Sequence, residues 1–219
     1  PDGLDVLQLH VVAQNIRYGE MALKSATVAT QVQRSPAGSG WSLEANSRLE
    51  QFTGAGVSVT GAEAHVAGPW GDLAVSGKAA GDYVQAFALE LGGRLRWGED
   101  RWDVELHQAS ARWADMHMRL TESLAIQMQG DQSELRGAAI LEPFDLGFLS
   151  SSLGTYRLSG SLAANMRLGG TLASPEIQGE VSCGPVAIQS NVWAGLPSIE
   201  GACPFSVSGG VVRLSASIH

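Results

Sequence analysis

The segment Tyr156–Val181, YRLSGSLAANMRLGGTLASPEIQGEV, decides the fold class. It alternates apolar and polar residues: the apolar positions are Leu158, Leu162, Ala164, Met166, Leu168 and Leu172, and the polar positions between them are Arg157, Ser161, Asn165, Arg167 and Thr171. A period of two is typical of extended strands with one apolar and one wet face. Glycines and Pro175 interrupt the pattern, so we predict two or three short strands joined by tight turns.

The same alternation recurs along most of the chain. Trp102, Val104 and Leu106, for example, alternate with Asp103 and Glu105. Short apolar runs are separated by turn residues about every 10 to 14 positions, which predicts roughly fourteen to sixteen strands of about five to eight residues. We therefore expect an all-β, mostly antiparallel meander.

One segment departs from this pattern. Leu146, Leu149 and Leu153 follow one another at helical spacing, with Pro143 at the first turn and Gly154 at a C-terminal cap. The spacing predicts one short helix near 143–153, of about two turns, and a structured apolar loop is the alternative. We treat residues 1–219 as a single elongated β domain with a possible soft break near 142–155.

Composition limits the function classes. The chain has 219 residues, 27 of them glycine, and only 16% charged residues, below the usual quarter. Its net charge of −8 and its scattered lysines and arginines disfavour nucleic acid, which needs clustered basic residues. No stretch is long and apolar enough to predict a transmembrane helix, and no basic n-region followed by an apolar h-region marks a signal peptide in this sequence. Because the chain begins and ends within the alternating pattern, we expect a fragment of a larger protein, with targeting and anchoring segments elsewhere.

The sequence offers little chemistry. The histidines His10, His65, His107, His117 and His219 are isolated, and on a strand Met116 and Met118 face away from His117, so we predict no metal site. The acid pairs Asp100/Asp103 and Glu134/Glu142 resemble turn or surface carboxylates, and we find no phosphate loop or nucleophile elbow. We predict no enzyme and no cofactor. Cys183 and Cys203 permit one internal disulfide, with two separate free thiols as the alternative.

The apolar face of such a sheet needs a partner. The pattern leaves three architectures open: a β-sandwich, an outer-membrane barrel, and an open folded-over sheet with an apolar groove. A barrel is expected to carry aromatic girdles and strands near ten residues, whereas the six tryptophans here are dispersed along the sequence. We therefore disfavour the barrel.

Three segments resemble the TamB and AsmA-like family of periplasmic β-proteins, in which TamB is the inner-membrane subunit of the translocation and assembly module. Residues 168–179, LGGTLASPEIQG, resemble the family phrase L-x-G-T-L-x-x-P-x-x-x-G. Residues 91–128 resemble its W-containing hairpin and the strands that follow, and 143–153 its proline-initiated helix. The resemblance covers roughly residues 90 to 190.

The resemblance implies a half-pipe sheet, called a β-taco, with an apolar concave face. It further implies a periplasmic location in a diderm bacterium, an inner-membrane anchor, and an Omp85-type (TamA-like or BamA-like) outer-membrane partner. The function implied is passive phospholipid transfer between the membranes, guidance of outer-membrane protein assembly and secretion, or both. Phospholipid or detergent would be the bound molecule.

We predict that acyl chains or apolar strands contact one face, formed by Leu89, Leu106, Met118, Ile126, Leu158, Met166 and Leu168. Two other functions stay open. Exposed sheet edges would template outer-membrane strands by β-augmentation, or a closed β-sandwich or β-solenoid would serve as a binding or adhesion module with no lipid conduit.

Overall fold

The computed structural model describes residues 6–34, 40–130, 132–152, 156–190 and 198–215. Fourteen strands and one short 3₁₀ helix make up this part of the chain. The strands are β1 (Val6–Tyr18), β2 (Met21–Arg34), β3 (Trp41–Gly54), β4 (Val57–Pro69), β5 (Asp72–Tyr83), β6 (Gln85–Trp97), β7 (Arg101–Trp113), β8 (Met116–Gln129), β9 (Gln132–Asp145), β10 (Tyr156–Ser159), β11 (Ser161–Gly170), β12 (Pro175–Ser190), β13 (Ile199–Ser208) and β14 (Val211–Leu214). The 3₁₀ helix is Leu146–Ser152, between β9 and β10.

The strands form a meander in which neighbours in sequence are neighbours in the sheet. The hydrogen-bonded order runs β1 to β9, then β11 to β14, while β10 pairs with β12 beside this path. The pairs from β1–β2 to β6–β7 are antiparallel, and so are β9–β11, β10–β12, β11–β12, β12–β13 and β13–β14. The prediction of an all-β antiparallel meander is therefore confirmed.

The chain divides into two compact units. The first comprises Pro1–Ala114 and Ala125–Asp131, and the second comprises Asp115–Leu124 and Gln132–His219. The division falls within β8, while the 3₁₀ helix lies inside the second unit.

The strands of the first unit are longer than the sequence analysis predicted. β1 to β7 have 12 to 14 residues each instead of five to eight. The difference arises where the alternation slips. In β3 the apolar positions are odd as far as Leu49, and the next is Phe52, because Gln51 has a left-handed backbone with φ of 51°. Asn15 in β1 also has a left-handed backbone, with φ of 53°, and the alternation of β1 shifts there in the same way. A local irregularity shifts the pattern without ending the strand.

The segment 156–181 forms strands as predicted. β10 and β11 are separated by Gly160, and β12 follows a turn that Thr171 and Ser174 close with reciprocal backbone hydrogen bonds of 3.1 and 3.2 Å. Pro175 is the first residue of β12, a position where the missing N–H is tolerated. Gly179 does not end a strand; it lies within β12 opposite Phe205, whose ring covers it.

The predicted helix is present but shorter and of a different type. It begins at Leu146, and Pro143 belongs to β9. The β9–β11 register shifts between the Leu162 and Ala164 pairs, next to Pro143, and strand irregularities of this kind tolerate proline. Asp145 accepts a hydrogen bond of 2.6 Å from the Gly147 N–H at the start of the helix. Gly154 lies outside the described residues.

Few side chains are buried in the part of the chain described. Six apolar residues are buried: Leu73 in the first unit, and Leu135, Ala138, Ala139, Phe144 and Leu146 in the second. None of the described side chains is fully buried. A closed sandwich packs two apolar sheet faces against each other and would bury many more side chains. The sandwich therefore does not fit the described residues of the first unit.

Candidate functional site: an apolar sheet face between two aromatic rows

The first unit has one apolar and one charged face, which two adjacent rows of paired residues show. One row, read across β1 to β7, is Val11, Val28, Ser47, Ala64, Gly77, Leu91 and Ala109. The next row is Val12, Thr27, Arg48, Glu63, Lys78, Glu90 and Ser110. Because paired residues share a face and successive residues alternate, the two rows lie on opposite faces. We call the first the apolar face and the second the charged face.

The charged face carries a ladder of ion pairs. Glu63 lies 2.9 Å from the Lys78 Nζ and 3.6 Å from an Arg48 nitrogen, and Arg48 also contacts Glu50 at 3.3 Å. The hydrogen bond from Lys78 and its charge lower the pKa of Glu63. A depression of about 610 Å³ lies over this ladder, lined by Glu90 among others. Arg48, Glu50, Glu63 and Lys78 are paired with one another there, and Glu90 accepts a hydrogen bond from Gln108. Most of the charged groups around the depression therefore already have a partner within the protein; Lys24 also lines it.

The apolar face is uncovered. Leu7, Leu9 and Val11 of β1 are 60%, 57% and 49% exposed, and Leu89 and Leu91 of β6 are 46% and 41% exposed. Contiguous apolar patches on soluble proteins usually mark a binding surface for another molecule. This face is the candidate functional site.

A row of tryptophans bounds the apolar face at one end of the strands. The backbone N–H of Trp70 donates to the backbone carbonyl of Trp41 at 2.7 Å. The rings of Trp70 and Trp97 meet edge to face at 5.4 Å, and those of Trp97 and Trp102 stack at 5.6 Å. We call these four residues the tryptophan row. The sequence analysis treated the tryptophans as dispersed, which is wrong for these four; strands of about 13 residues, joined by short turns, return each to the same sheet end.

A second aromatic row bounds the opposite end of the apolar face. It consists of Tyr18, Phe52, Phe87 and Trp113, which we call the phenylalanine row. Phe87 pairs with Trp113 across β6 and β7. The indole N–H of Trp113 donates to the Tyr83 carbonyl at 3.0 Å. The sequence signal for both rows was an aromatic residue recurring near the ends of the strands. It was missed because the predicted strands were too short to place these residues at the same ends of the sheet.

Two of the predicted contact residues lie together on the apolar face of the first unit. Leu89 of β6 pairs with Ala111, and Leu106 of β7 pairs with Gly93. Both positions lie between the two aromatic rows. Ile126 belongs to the part of β8 in the first unit and is half-buried. The structure therefore brings Leu89 and Leu106 together on one face.

The other predicted contact residues belong to the second unit. Met166 and Leu168 lie on one face of β11, opposite Ala139 and Gly137 of β9. Met118 of β8 is 42% exposed. Leu158 stands apart in β10, where it pairs with Ile188. Met166 and Leu168 thus share a face, and Leu158 does not continue their row.

A polar cluster in the second unit, formed by Glu142, Arg119 and His117, connects β8 and β9. Glu142 accepts from Arg119 at 2.8 Å and contacts the His117 Nδ1 at 2.9 Å. The hydrogen bonds from Arg119 and then His117 lower the pKa of this carboxyl group. His117 is thus bound to a carboxylate on the next strand and is separate from its neighbouring methionines. Glu134 lies eight residues from Glu142 on the same strand, so the two do not form a catalytic pair.

Within the described residues, no three His, Cys, Asp or Glu side chains come together to hold a metal ion. None of the helical residues described forms a helix that is long and apolar enough to cross a membrane. Of the acid pair Asp100/Asp103 that the sequence offered, Asp103 forms an ion pair with Arg101 at 2.8 Å in the β6–β7 hairpin.

Cys183 and Cys203 are both free thiols. Cys183 pairs with Gly201, and Cys203 pairs with Val181, so the two cysteines are diagonal neighbours on one face of β12 and β13. Diagonal residues of an antiparallel pair are about 7–8 Å apart, whereas disulfides span Cα distances of about 4.4–6.8 Å. The disulfide considered from the sequence is not formed.

No protein-family model, curated protein or solved structure matches this chain.

Proposed function

We propose that this chain belongs to a periplasmic protein that supports outer-membrane biogenesis by holding apolar chains on the apolar face and passing phospholipid between the two membranes. The observation that carries the proposal is the uncovered face of β1–β7, on which leucines 41–60% exposed stand opposite a charged face. Covering a water-exposed sheet face of this composition with an acyl chain is favourable, because it removes apolar surface of both the leucines and the chain from water.

The mechanism is passive. Removing one methylene group from water contributes about 0.8 kcal/mol. A long acyl chain therefore binds by contact with Leu89, Leu91 and Leu106 without any reacting group. Since contacts repeat from strand to strand, a bound chain exchanges one set of leucines and valines for the next, with only small changes in free energy along the face.

The location and partners of the protein come from the resemblance to TamB and AsmA-like proteins in residues 90–190. We propose that the full-length protein is anchored in the inner membrane and meets an Omp85-type barrel at the outer membrane. Bound phospholipid, and no catalytic cofactor, would accompany it.

A second candidate function is the guidance of outer-membrane strands, and the geometry of β1 favours it. β1 has 13 residues, twelve of them exposed, and within the described residues it pairs on one side only, with β2. Long edge strands of this kind accept another strand by β-augmentation.

Matched substitutions on the two faces of β6 test the proposal. Leu89→Asp places a carboxylate on the apolar face, and Ala88→Asp places the same group on the charged face, one residue away. We expect native mass spectrometry of the purified chain to detect bound phospholipid in the wild type and in Ala88→Asp, and little in Leu89→Asp. Because Leu89 is nearly half exposed, both variants should remain folded by circular dichroism. Equal lipid occupancy in the two folded variants, or none in the wild type, would contradict the proposal.

A further inference from the structure

We propose that the tryptophan row binds the phosphate and glycerol region of a phospholipid molecule taken from a bilayer, while its acyl chains lie over the apolar face. This inference rests on the proposed function and adds to it the residues that bind the headgroup and the orientation of the bound molecule.

The surface between the aromatic rows accommodates only apolar groups. In β3–β7 its paired positions carry aliphatic residues, alanine, glycine and one serine, Ser47. Phe87 and Trp97 mark its two ends on β6, ten residues and therefore about 33 Å apart along an extended strand. A ligand that covers this surface needs a long hydrocarbon portion.

The tryptophan row is amphipathic and largely exposed. Trp70, Trp102 and Trp41 are 64%, 45% and 43% exposed. An indole combines an apolar body with one N–H donor, and tryptophan is for that reason enriched where hydrocarbon meets headgroups. The ring contacts of Trp97 with Trp70 and Trp102 hold three of the four rings in place before a ligand arrives. A preformed site of this kind loses less conformational entropy on binding.

A guanidinium group adjoins the tryptophan row. Arg34 is the exposed last residue of β2 and pairs with Trp41 in the β2–β3 register. Guanidinium groups recognise phosphate through paired, charge-assisted hydrogen bonds. The combination of indole donors and a cation beside an apolar surface complements a phosphate ester with acyl chains better than it complements an apolar polypeptide strand.

The phenylalanine row offers a lipid headgroup fewer polar partners than the tryptophan row does. Phe52 and Phe87 carry no polar group, and the N–H of Trp113 is already bonded to the Tyr83 carbonyl. The remaining polar group of this row is the hydroxyl of Tyr18, which is 78% exposed and lies on β1, an edge strand among those described. Neither Phe52 nor Phe87 pairs with a basic residue in the strand registers as Trp41 does with Arg34. The two ends of the apolar face are therefore not equivalent. The asymmetry assigns the headgroup to the tryptophan row.

Fluorescence quenching tests the orientation. In the variant Trp113→Phe/Trp193→Phe, all remaining emission comes from the tryptophan row. A second variant carries Leu91→Trp as the sole tryptophan and reports on the centre of the apolar face. In this variant the four residues of the tryptophan row are changed to tyrosine, which keeps an aromatic ring with a polar donor, and Trp113 and Trp193 are changed to phenylalanine. Each is mixed with phosphatidylcholine vesicles that carry either a nitroxide on the headgroup or bromine near the end of the acyl chain. We expect the headgroup nitroxide to quench the tryptophan row more strongly, and the chain bromine to quench the Leu91→Trp reporter more strongly.

Arg34→Gln supplies a second readout. Loss of a charge-assisted hydrogen bond should weaken phosphatidylcholine binding about tenfold, and binding of a diacylglycerol with the same acyl chains should not change. Arg34→Lys, which keeps the charge, should restore part of the loss.

The outcomes separate the two proposals. One outcome is that the acyl-chain bromine quenches both the Leu91→Trp reporter and the tryptophan row most strongly. The assignment of the headgroup to the tryptophan row is then wrong, and the proposal that the apolar face binds lipid stands. Equal binding of phosphatidylcholine and diacylglycerol in the wild type likewise overturns the assignment to phosphate. If neither reporter responds, and the face instead binds an unfolded outer-membrane strand or a second copy of the chain, both proposals fail.

Discussion

Phe87 and Gly81 form a close cross-strand pair on the apolar face. The two residues pair in the β5–β6 register, and a Cβ atom added to Gly81 would lie 3.0 Å from the Phe87 ring and would overlap the Ser58 carbonyl oxygen. Phe205 covers Gly179 in the second unit in the same way. Glycine is needed at these two strand positions because an added Cβ would overlap a backbone carbonyl oxygen of the neighbouring strand, that of Ser58 or Asn165, and would also crowd the aromatic ring.

The pair predicts a specific sensitivity to substitution. Gly81→Ala should lower the free energy of unfolding by about 1–3 kcal/mol, the usual effect of overpacking, as measured by urea denaturation. Gly61 is the matched control: it lies on the neighbouring strand, and an added Cβ would meet only the Leu49 carbonyl at 3.9 Å. Gly61→Ala should therefore leave stability unchanged or raise it, and an equal loss in the two variants would contradict this account.

Glu142 makes the stability of the second unit sensitive to acid. Arg119 and His117 hold its pKa below the ordinary value of 4.5. The stabilisation by ionised Glu142 is therefore fully present above pH 4.5 and is lost as the pH falls through the lowered pKa of the folded state. We expect the thermal midpoint to fall less between pH 5 and pH 3 in Glu142→Gln than in the wild type. Glu134→Gln, an exposed change on the same strand, should retain the wild-type slope; the same flattening there would refute the assignment.

At the scale of elements, the 3₁₀ helix is fastened to β10 through one side chain. The Ser150 hydroxyl donates to the Leu158 carbonyl at 3.1 Å and accepts from the Leu158 N–H at 2.8 Å. β10 has only four residues and pairs only with β12 among the described strands, so this contact is a large part of what holds it.

Ser150→Ala should detach β10 locally. The substitution leaves the Leu158 N–H and carbonyl without a partner, at about 1–3 kcal/mol for a buried group and less for a partly exposed one. We expect faster hydrogen exchange at the Leu158 amide and unchanged exchange in β1–β7. Ser159→Ala, a change at an exposed position of the same strand, serves as the control. Unaltered exchange at Leu158 in Ser150→Ala would show that strand pairing alone holds β10.

The elements also show how far the sequence determined the fold. Alternation identified the strand class, because the period of two is visible in the sequence itself. The turn between β6 and β7, closed by the Gly98 N–H donating to the Arg101 carbonyl at 2.9 Å, is built from residues with local turn signatures. Strand lengths were underestimated because a slip at Gln51 resembles a strand end in one dimension. The tryptophan row was missed for a related reason: Trp41, Trp70 and Trp97 are 29 and 27 residues apart, and only the correct hairpin lengths bring them to one sheet end.

At the scale of the whole molecule, the two faces of β1–β7 differ in composition: the charged face carries ion pairs, and the apolar face is the surface on which we propose that the ligand binds. Ion pairs such as Glu63–Lys78 link neighbouring strands on the charged face, and exposed pairs of this kind contribute little free energy each. The apolar face, by contrast, contributes little to a buried core in the first unit, where Leu73 alone among the described apolar side chains is buried. Substitutions on the apolar face should therefore affect ligand binding more than folding.

This difference between the faces predicts the behaviour of the chain in phospholipid exchange. The wild type should accelerate transfer of a fluorescent phospholipid from donor to acceptor vesicles, without nucleotide and at equal rates in both directions, because a passive surface supplies no directional free energy. Leu89→Asp/Leu91→Asp removes two leucine contacts worth about 1.5–3 kcal/mol each when fully buried, so transfer should fall at least about tenfold. Ala88→Asp/Glu90→Asp, on the charged face of the same strand, should transfer as the wild type does. Transfer that persists in the leucine double variant, with the fold intact, would place the lipid path elsewhere on the chain.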